Sequence, residues 1–325
     1  MTPAALDLLA CPACRGALAA GETGLRCPAC AAVYPAPDGI PDLRVAGDAR
    51  SEVVRAFYAV APFPGYPPRM TLSGLRARAG RSELARALDA AIPGDARVLE
   101  VGCGTGQMSL FLASADRHIV GADFQRASLA LARGAATRLG VDGVTFVETD
   151  LRAPGLRAGA FDVVLALGVL HHTSDPAAAF RAVARLARPG GMVVIALYHA
   201  LARLPHRLRR GLARAFGYRV VPFDPILRDR ATEPARREAW LRDQYLHPEE
   251  HRHLLGEVRR WFRDNDVAFV RTVPSSVFGG GAIEGAELFE PVGDEWRFEE
   301  AMAQIGWIAP LAAEGGVFVT VGRCR

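Results

Sequence analysis

The chain has 325 residues, half of them apolar, with a formal net charge of +4, enough for one large α/β core plus a small appendage and hence for two folded units. No apolar run approaches the roughly 18 residues that cross a bilayer, and residues 1–7 lack the basic start of a secretory leader, so a cytoplasmic protein is expected. All 39 basic residues are arginine, which coding bias explains more simply than selection for phosphate contacts, so the basic balance does not by itself imply nucleic acid.

The first predicted unit, residues 1–45, is organised by cysteine. Cys11-Pro12-Ala13-Cys14 and Cys27-Pro28-Ala29-Cys30 form two knuckles twelve residues apart, a spacing at which two tight turns present four thiolates tetrahedrally to Zn²⁺. Two disulfides or a redox dithiol are the competing readings. Against them, a cytoplasmic chain keeps thiols reduced, and neither pair opens a thioredoxin-like helix. Fewer than fifty residues build little core, so a structural metal, at ~10–16 kcal/mol in small zinc peptides, is expected to hold the unit folded.

Residues 46–93 are read as a linker and helical arm. A short helix at 51–60, a proline-stiffened extended stretch at 62–68 and a helix at 71–91 carrying Leu72, Leu75, Leu84 and Leu88 are expected. Phe57, Tyr58, Phe63 and Tyr66 either line a substrate entrance or anchor packing beside the prolines.

From residue 94 the pattern is an alternation of apolar strands with amphipathic helices, which predicts a doubly wound parallel sheet whose ligands collect at the carboxyl edge. The first strand ends in Glu100 and runs into a bend with Gly102, Gly104 and Gly106, where the backbone turns sharply and the next helix offers unpaired N–H groups. The strand at 118–123 ends in Asp123, about 20 residues on, where a carboxylate reaches the two hydroxyls of a ribose. Strands at 144–150 and 161–167 bring Asp150 and Gly168 to the same edge, and a fifth is expected at 192–198. Helices are expected at 107–115, 126–139 and 177–187, the last capped by Asp175 with Pro176 in its first turn. One residue separates Gly104 from Gly106, where a dehydrogenase fingerprint keeps two, which argues against a nicotinamide cofactor.

Beyond Tyr198 a helix beginning near His247, a strand at 266–273 and a closing strand at 316–322 are expected, with insertions at about 199–246 and 274–315. In the first insertion Leu201, Leu204, Leu208, Leu212 and Phe216 recur at helical spacing, with Arg203, Arg207, Arg209, Arg210 and Arg214 on the remaining faces. Three readings compete: a cap over the site, a surface touching membrane or a lipidic substrate, and an RNA-facing basic helix. Pro205 and Gly211 weaken the membrane version.

The segments VLEVGCGTG, GADF, VETDL, FDVVLALGVLHH and ARPGGMVVIALY, in this order from Val98 to Tyr198, resemble class I S-adenosylmethionine-dependent methyltransferases of the type 11 and quinone-biosynthesis kind. The resemblance implies a Rossmann-like α/β fold, doubly wound and mostly parallel, with an antiparallel last strand. By position it implies that Glu100, Gly102, Gly104 and Gly106 hold the methionine end of S-adenosylmethionine, that Asp123 and Phe124 meet the ribose side and Asp150 with Leu151 the adenine, and that Gly168 gives the cofactor close passage. His171 and His172 stand beside the expected methyl, where either a base that takes the acceptor's proton or a brace for the loop is needed. Tyr198, Tyr245 and His247 are further candidates, read as structural. The CPAC pairs with Tyr34–Leu43 resemble small zinc-ribbon methyltransferase activator proteins, which implies a ribbon in front of the enzyme with Cys11, Cys14, Cys27 and Cys30 on structural Zn²⁺. The function expected is methyl transfer to oxygen or carbon of a small organic acceptor. RNA methylation with ribbon docking and a non-catalytic cofactor- or partner-binding protein are the alternatives.

Overall fold

In the computed structural model, the residues described are all except 46–64, 68, 114–115, 218–220, 222–223, 225–226, 228–233, 247–248, 278–284, 293–296 and 314. The helix expected at 51–60, with Phe57 and Tyr58, and the candidates Phe63 and His247 lie outside the described residues.

Two sheets organise the chain. Strands β1 (Ala19–Ala20), β2 (Gly24–Arg26) and β3 (Val33–Pro35) form a small antiparallel meander. The large sheet contains β4 (Arg97–Val101), β5 (His118–Asp123), β6 (Val144–Glu148), β7 (Phe161–Leu167), β8 (Ala187–Tyr198), β9 (Val267–Val273) and β10 (Val317–Cys324), in the order β6-β5-β4-β7-β8-β10-β9. The five strands from β4 to β8 pair in parallel, and β10 lies antiparallel between β8 and β9. Near-continuous apolar runs suit strands covered on both faces. Val98, Val163, Leu165 and Val194 pack on one face with Leu88 and Leu112, while Leu99, Val101, Val164 and Ile195 pack on the other with Phe180, Val258 and Phe262. The sheet reverses direction of growth between β4 and β7, the place where open α/β sheets bind ligands.

Three local expectations are corrected. The helix expected at 71–91 is two helices, Leu72–Ala79 and Glu83–Ala91, because Gly80 closes the first and the Ser82 hydroxyl caps the second through the Ala85 N–H at 3.4 Å. The helix expected to run to 187 ends at Ala184, and the chain enters β8 directly at Ala187. The helix expected from His247 begins only at Leu255. The residues before it are extended: His251 N–H donates to the His171 carbonyl (2.8 Å) and His253 N–H to the Tyr198 carbonyl (2.9 Å), so this polar strap satisfies the backbone where β7 and β8 end.

The ribbon is fastened to the sheet domain on two sides. Leu9 bridges Leu156, Asp42 pairs with Glu148 at the end of edge strand β6, and Leu43 N–H donates to the Glu148 carbonyl at 2.7 Å. Leu8, Leu18, Leu25, Tyr34 and Leu43 belong to the same core as Leu99 and Val120 of the large sheet.

Candidate functional site

A cavity of about 590 Å³ opens at the carboxyl edge of β4, β5, β6 and β7. Of the residues expected to bind a cofactor, Glu100, Gly102, Gly104, Asp123, Phe124, Asp150, Leu151 and Gly168 all line it. Gly106 does not. It has φ +75° at the start of the helix Gln107–Leu112, and a Cβ there would stand 2.9 Å from Ala132 and Phe146 side-chain atoms. The close approach of Ala132 and Phe146 leaves no room for a side chain between the bend and the elements behind it. Gly102 likewise has φ +66° and would bring a Cβ to 2.6 Å from Val169.

The acids are held from below. Asp123 accepts hydrogen bonds from the Gly104 and Gln125 backbone N–H groups, both at 2.8 Å, which fixes its carboxylate at the lip of the bend. Burial pushes its pKa up to about 6 despite those donors. Glu100 accepts from the Ser109 hydroxyl, and burial, with Asp123 nearby, pushes its pKa up to about 7.

One cation faces these acids without an acidic partner among the described residues. Arg78, near the end of the helix Leu72–Ala79, lines the cavity together with Leu75, Ser82 and Ala85. Arg152, also in the wall, is paired with Asp150 at 2.7 Å. Sequence reading passed over Arg78 because nothing in the arm's periodicity distinguishes an arginine facing a cavity from one facing water. Tyr66 lies outside the wall, where its hydroxyl donates to the Thr105 carbonyl at 2.7 Å and packs the arm against the glycine bend.

The two histidines separate. His172 lines the cavity, and His171, 1% exposed, lies behind it with its ring 3.8 Å from the Tyr198 ring. His172 Nδ1 is 2.8 Å from the Glu249 carbonyl. A carbonyl only accepts, so Nδ1 carries the hydrogen and Nε2 is the nitrogen with the lone pair. Burial lowers the His172 pKa to about 4, which keeps the ring neutral at physiological pH. Glu249, from the strap that replaces the expected helix start, also lines the cavity. Tyr198 is buried, takes the Arg203 guanidinium over its ring at 3.7 Å, and accepts from Gln244 Nε2 at 3.0 Å. Tyr245 donates its hydroxyl to Asp224 at 2.7 Å. Neither lines the cavity.

In the ribbon the four thiols converge. Sγ of Cys11, Cys14, Cys27 and Cys30 all lie within 4.8 Å of one another, with Cys11 to Cys30 at 3.6 Å and Cys14 to Cys27 at 3.5 Å. These separations are far beyond the ~2.05 Å of a disulfide. They are close to the ~3.8 Å edges of a tetrahedron with Zn–S bonds of ~2.3 Å. Tyr34 OH stands 3.0 Å from Cys11 Sγ, an outer partner of the kind that orients a metal thiolate. The donor set fits Zn²⁺.

Comparison with known proteins agrees with this geometry. The Methyltransferase domain family matches residues 99–195, and the Trm112p-like protein family matches residues 3–39. An uncharacterized protein of Synechococcus sp. is 29% identical over 268 residues, which cover 71% of this chain and 64% of that protein, just under two thirds of its length. The ubiquinone biosynthesis O-methyltransferase of Xanthomonas axonopodis pv. citri is 31% identical over 166 residues, covering 51% of this chain and 68% of that protein. The solved structure of PKMT2 from Rickettsia typhi superposes with a TM-score of 0.52 at 15% identity over 80% of this chain and 54% of its own, a likeness of fold. Among the described residues no helix is long and apolar enough to cross a membrane. With its five ordered motifs, its sheet order and its thiolate ribbon, the chain belongs to the class I S-adenosylmethionine-dependent methyltransferases and carries a Trm112p-like zinc ribbon at its N-terminal side.

Proposed function

We propose that the chain transfers a methyl group from S-adenosylmethionine to oxygen or carbon of a small organic acceptor. The observation that carries this reading is the composition of the cavity wall: three acids at strand ends, a backbone bend between two of them, and His172 in the same wall. In this reading Asp123 takes the ribose hydroxyls, Asp150 and Leu151 meet the adenine, and Glu100 with the Gly102–Gly104 backbone holds the amino-acid end. Bound there, the cofactor supplies a methyl group already activated by its sulfonium. What remains for the chain is to orient the acceptor in line, exclude water and accept a proton when the acceptor must lose one. His172 Nε2 is the acceptor of that proton. Nδ1–H, held by the Glu249 carbonyl, fixes the ring and stabilises the imidazolium that forms. His171 braces the loop.

Calorimetry with S-adenosylhomocysteine tests the cofactor half. Asp123→Ala is expected to abolish the binding heat while leaving the unfolding temperature within a few degrees, and unchanged affinity would overturn the ribose assignment. Incubating the protein with fractionated cell extract and labelled methyl donor tests the acceptor half. Label in the small-molecule fraction supports the proposal, whereas label in RNA would replace the acceptor class. No S-adenosylhomocysteine formed with any fraction would overturn methyl transfer itself.

A further inference from the structure

The helix Leu204–Phe216 carries part of its charge inward. Arg203, at its start, is fully buried and pairs with Glu250 at 2.8 Å, Arg209 lies 3.8 Å from Asp224, and Arg210 lies 3.5 Å from Glu250. His206, also buried, donates from Nε2 to the Gln244 carbonyl at 2.7 Å. A helix held down by these groups turns its apolar stripe outward, with Arg207 and Arg214 also exposed. Leu204, Leu208, Leu212 and Phe216, four residues apart, are 43, 72, 45 and 78% exposed.

The pattern extends beyond one helix. Of the thirteen large apolar side chains exposed among the described residues, nine lie between 204 and 305, including Leu246, Leu254, Phe298, Met302 and Ile305. The segments that carry them are joined: Gln304 Oε1 accepts from Leu255 N–H at 2.9 Å and stands 3.2 Å from His199 Nε2, just ahead of the helix. The four exposed side chains of the one helix already form a continuous apolar stripe of the kind that monomeric proteins rarely leave without a partner.

Charge selects the partner. Arg207 and Arg214 are exposed on the same helix, and no acidic residue occurs from His199 to Phe223. A second copy seated stripe to stripe would bring these arginines against their own kind. Arg203, Arg209 and Arg210 are engaged with Glu250 and Asp224, so an RNA partner would meet only Arg207 and Arg214 beside a stripe of leucine and phenylalanine, which offers little to a phosphate backbone. An apolar stripe flanked by arginines matches the boundary of an anionic bilayer, where acyl chains take the leucines and headgroups take the guanidinium charge. We propose that this face docks on an anionic phospholipid surface, with the helix in the interfacial plane. The strap bearing Glu250, which anchors the helix through Arg203, also bears Glu249 of the cavity wall, so the docked face and the cavity share one connecting segment.

Flotation of the full chain with vesicles tests this, using phosphatidylglycerol and phosphatidylcholine in equal parts against phosphatidylcholine alone. The chain is expected to float with the anionic vesicles and to dissociate as salt is raised. Leu208→Glu with Phe216→Glu is expected to weaken binding about tenfold or more, and Arg207→Gln or Arg214→Gln about fivefold each. Both kinds of change sit at exposed positions, so unfolding temperatures should stay at the wild-type value. Failure to float, equal binding to neutral vesicles, or binding that neither set of variants alters would overturn the proposal. So would a dimer in sedimentation velocity that Leu208→Glu dissolves, which assigns the stripe to a second copy, or RNA binding lost with the arginines and kept without the leucines.

Discussion

Burial holds the carboxyls of both Glu100 and Asp123 above the ordinary range. Glu100 has a folded pKa of about 7 against an ordinary value of 4.5. The fold therefore binds this proton more tightly than the unfolded chain does. The stabilising effect is complete below the ordinary value and is lost as pH rises through about 7, an effect of roughly 3 kcal/mol for a fully buried group. The ligand-free protein is expected to melt at a lower temperature at about pH 8 than at about pH 5, and Glu100→Gln to flatten most of that difference in calorimetric scans. An unchanged slope in the variant would remove Glu100 as the source. Arg78, in the same cavity wall, makes a complementary prediction. If its guanidinium meets a carboxylate of the ligand, Arg78→Ala should cost about tenfold in affinity for S-adenosylhomocysteine, the equivalent of a charged hydrogen bond of ~1.5 kcal/mol. Affinity for 5′-methylthioadenosine, which lacks that carboxylate, should be unaffected. Equal losses for both ligands would make Arg78 a packing residue. His172, lowered to about 4 by burial, should give a rate profile without the acid limb near pH 6.5 of an ordinary histidine. A limb at that pH that persists in His171→Ala and vanishes in His172→Ala would show that the ring titrates in the normal range.

At the scale of elements, most of what the sequence foretold lies on strands, because an apolar run ending in an acid and followed by glycine fixes both the element and the edge at which its last side chain emerges. Glu100, Asp123 and Asp150 were legible for that reason, and so was Gly168. What escaped was long-range. The use of Gly106 for packing against Phe146 depends on a strand 40 residues away, which no local spacing records. The strap 249–253 reads as a helix start, with proline followed by two acids, yet its backbone is taken up by His171, in the turn after β7, and by Tyr198 at the end of β8. The helix Leu204–Phe216 was recognised as amphipathic, but which face would be buried turned on Glu250 and Asp224, both distant in sequence. Glu148 makes the same point and can be tested. Its carboxylate, 1% exposed, meets Arg44 at 3.1 Å and Arg126 at 3.0 Å, while Arg126 also donates to the Ile40 carbonyl at 3.0 Å. Removing one member of such a group leaves uncompensated charge, and with both arginines over a quarter exposed the loss is expected near 2 kcal/mol. Denaturant unfolding of Glu148→Gln should show a midpoint shift of that size, and a shift within error would reduce the cluster to a surface ion pair.

For the molecule as a whole, the ribbon's docking joins its cysteine cluster, the large core and the loop after β6 into one mechanical unit. The loop after β6, which carries Asp150, Leu151 and Arg152 into the cavity, is gripped by the ribbon at both ends. Thr149 donates its hydroxyl to the Leu43 carbonyl at 3.3 Å, Arg15 donates to the Pro154 carbonyl at 2.6 Å, and Ala10 N–H donates to the Gly155 carbonyl at 3.1 Å. Arg15 directly follows the first knuckle, so losing the metal releases the very turn that holds Pro154. A zinc ribbon tethered by a flexible linker would melt alone on chelation and leave the sheet domain's transition untouched. Here the ribbon's leucines lie in the large core, so unfolding them exposes that core as well. Chelation under reducing conditions is therefore expected to lower a single calorimetric transition by several degrees and to weaken S-adenosylhomocysteine binding together with it. Cys27→Ser should do the same without chelator. Two separate transitions, with the upper one and the ligand affinity unmoved by metal removal, would show instead that the loop keeps its shape without the ribbon and that the contacts at Leu43, Arg15 and Ala10 are passive.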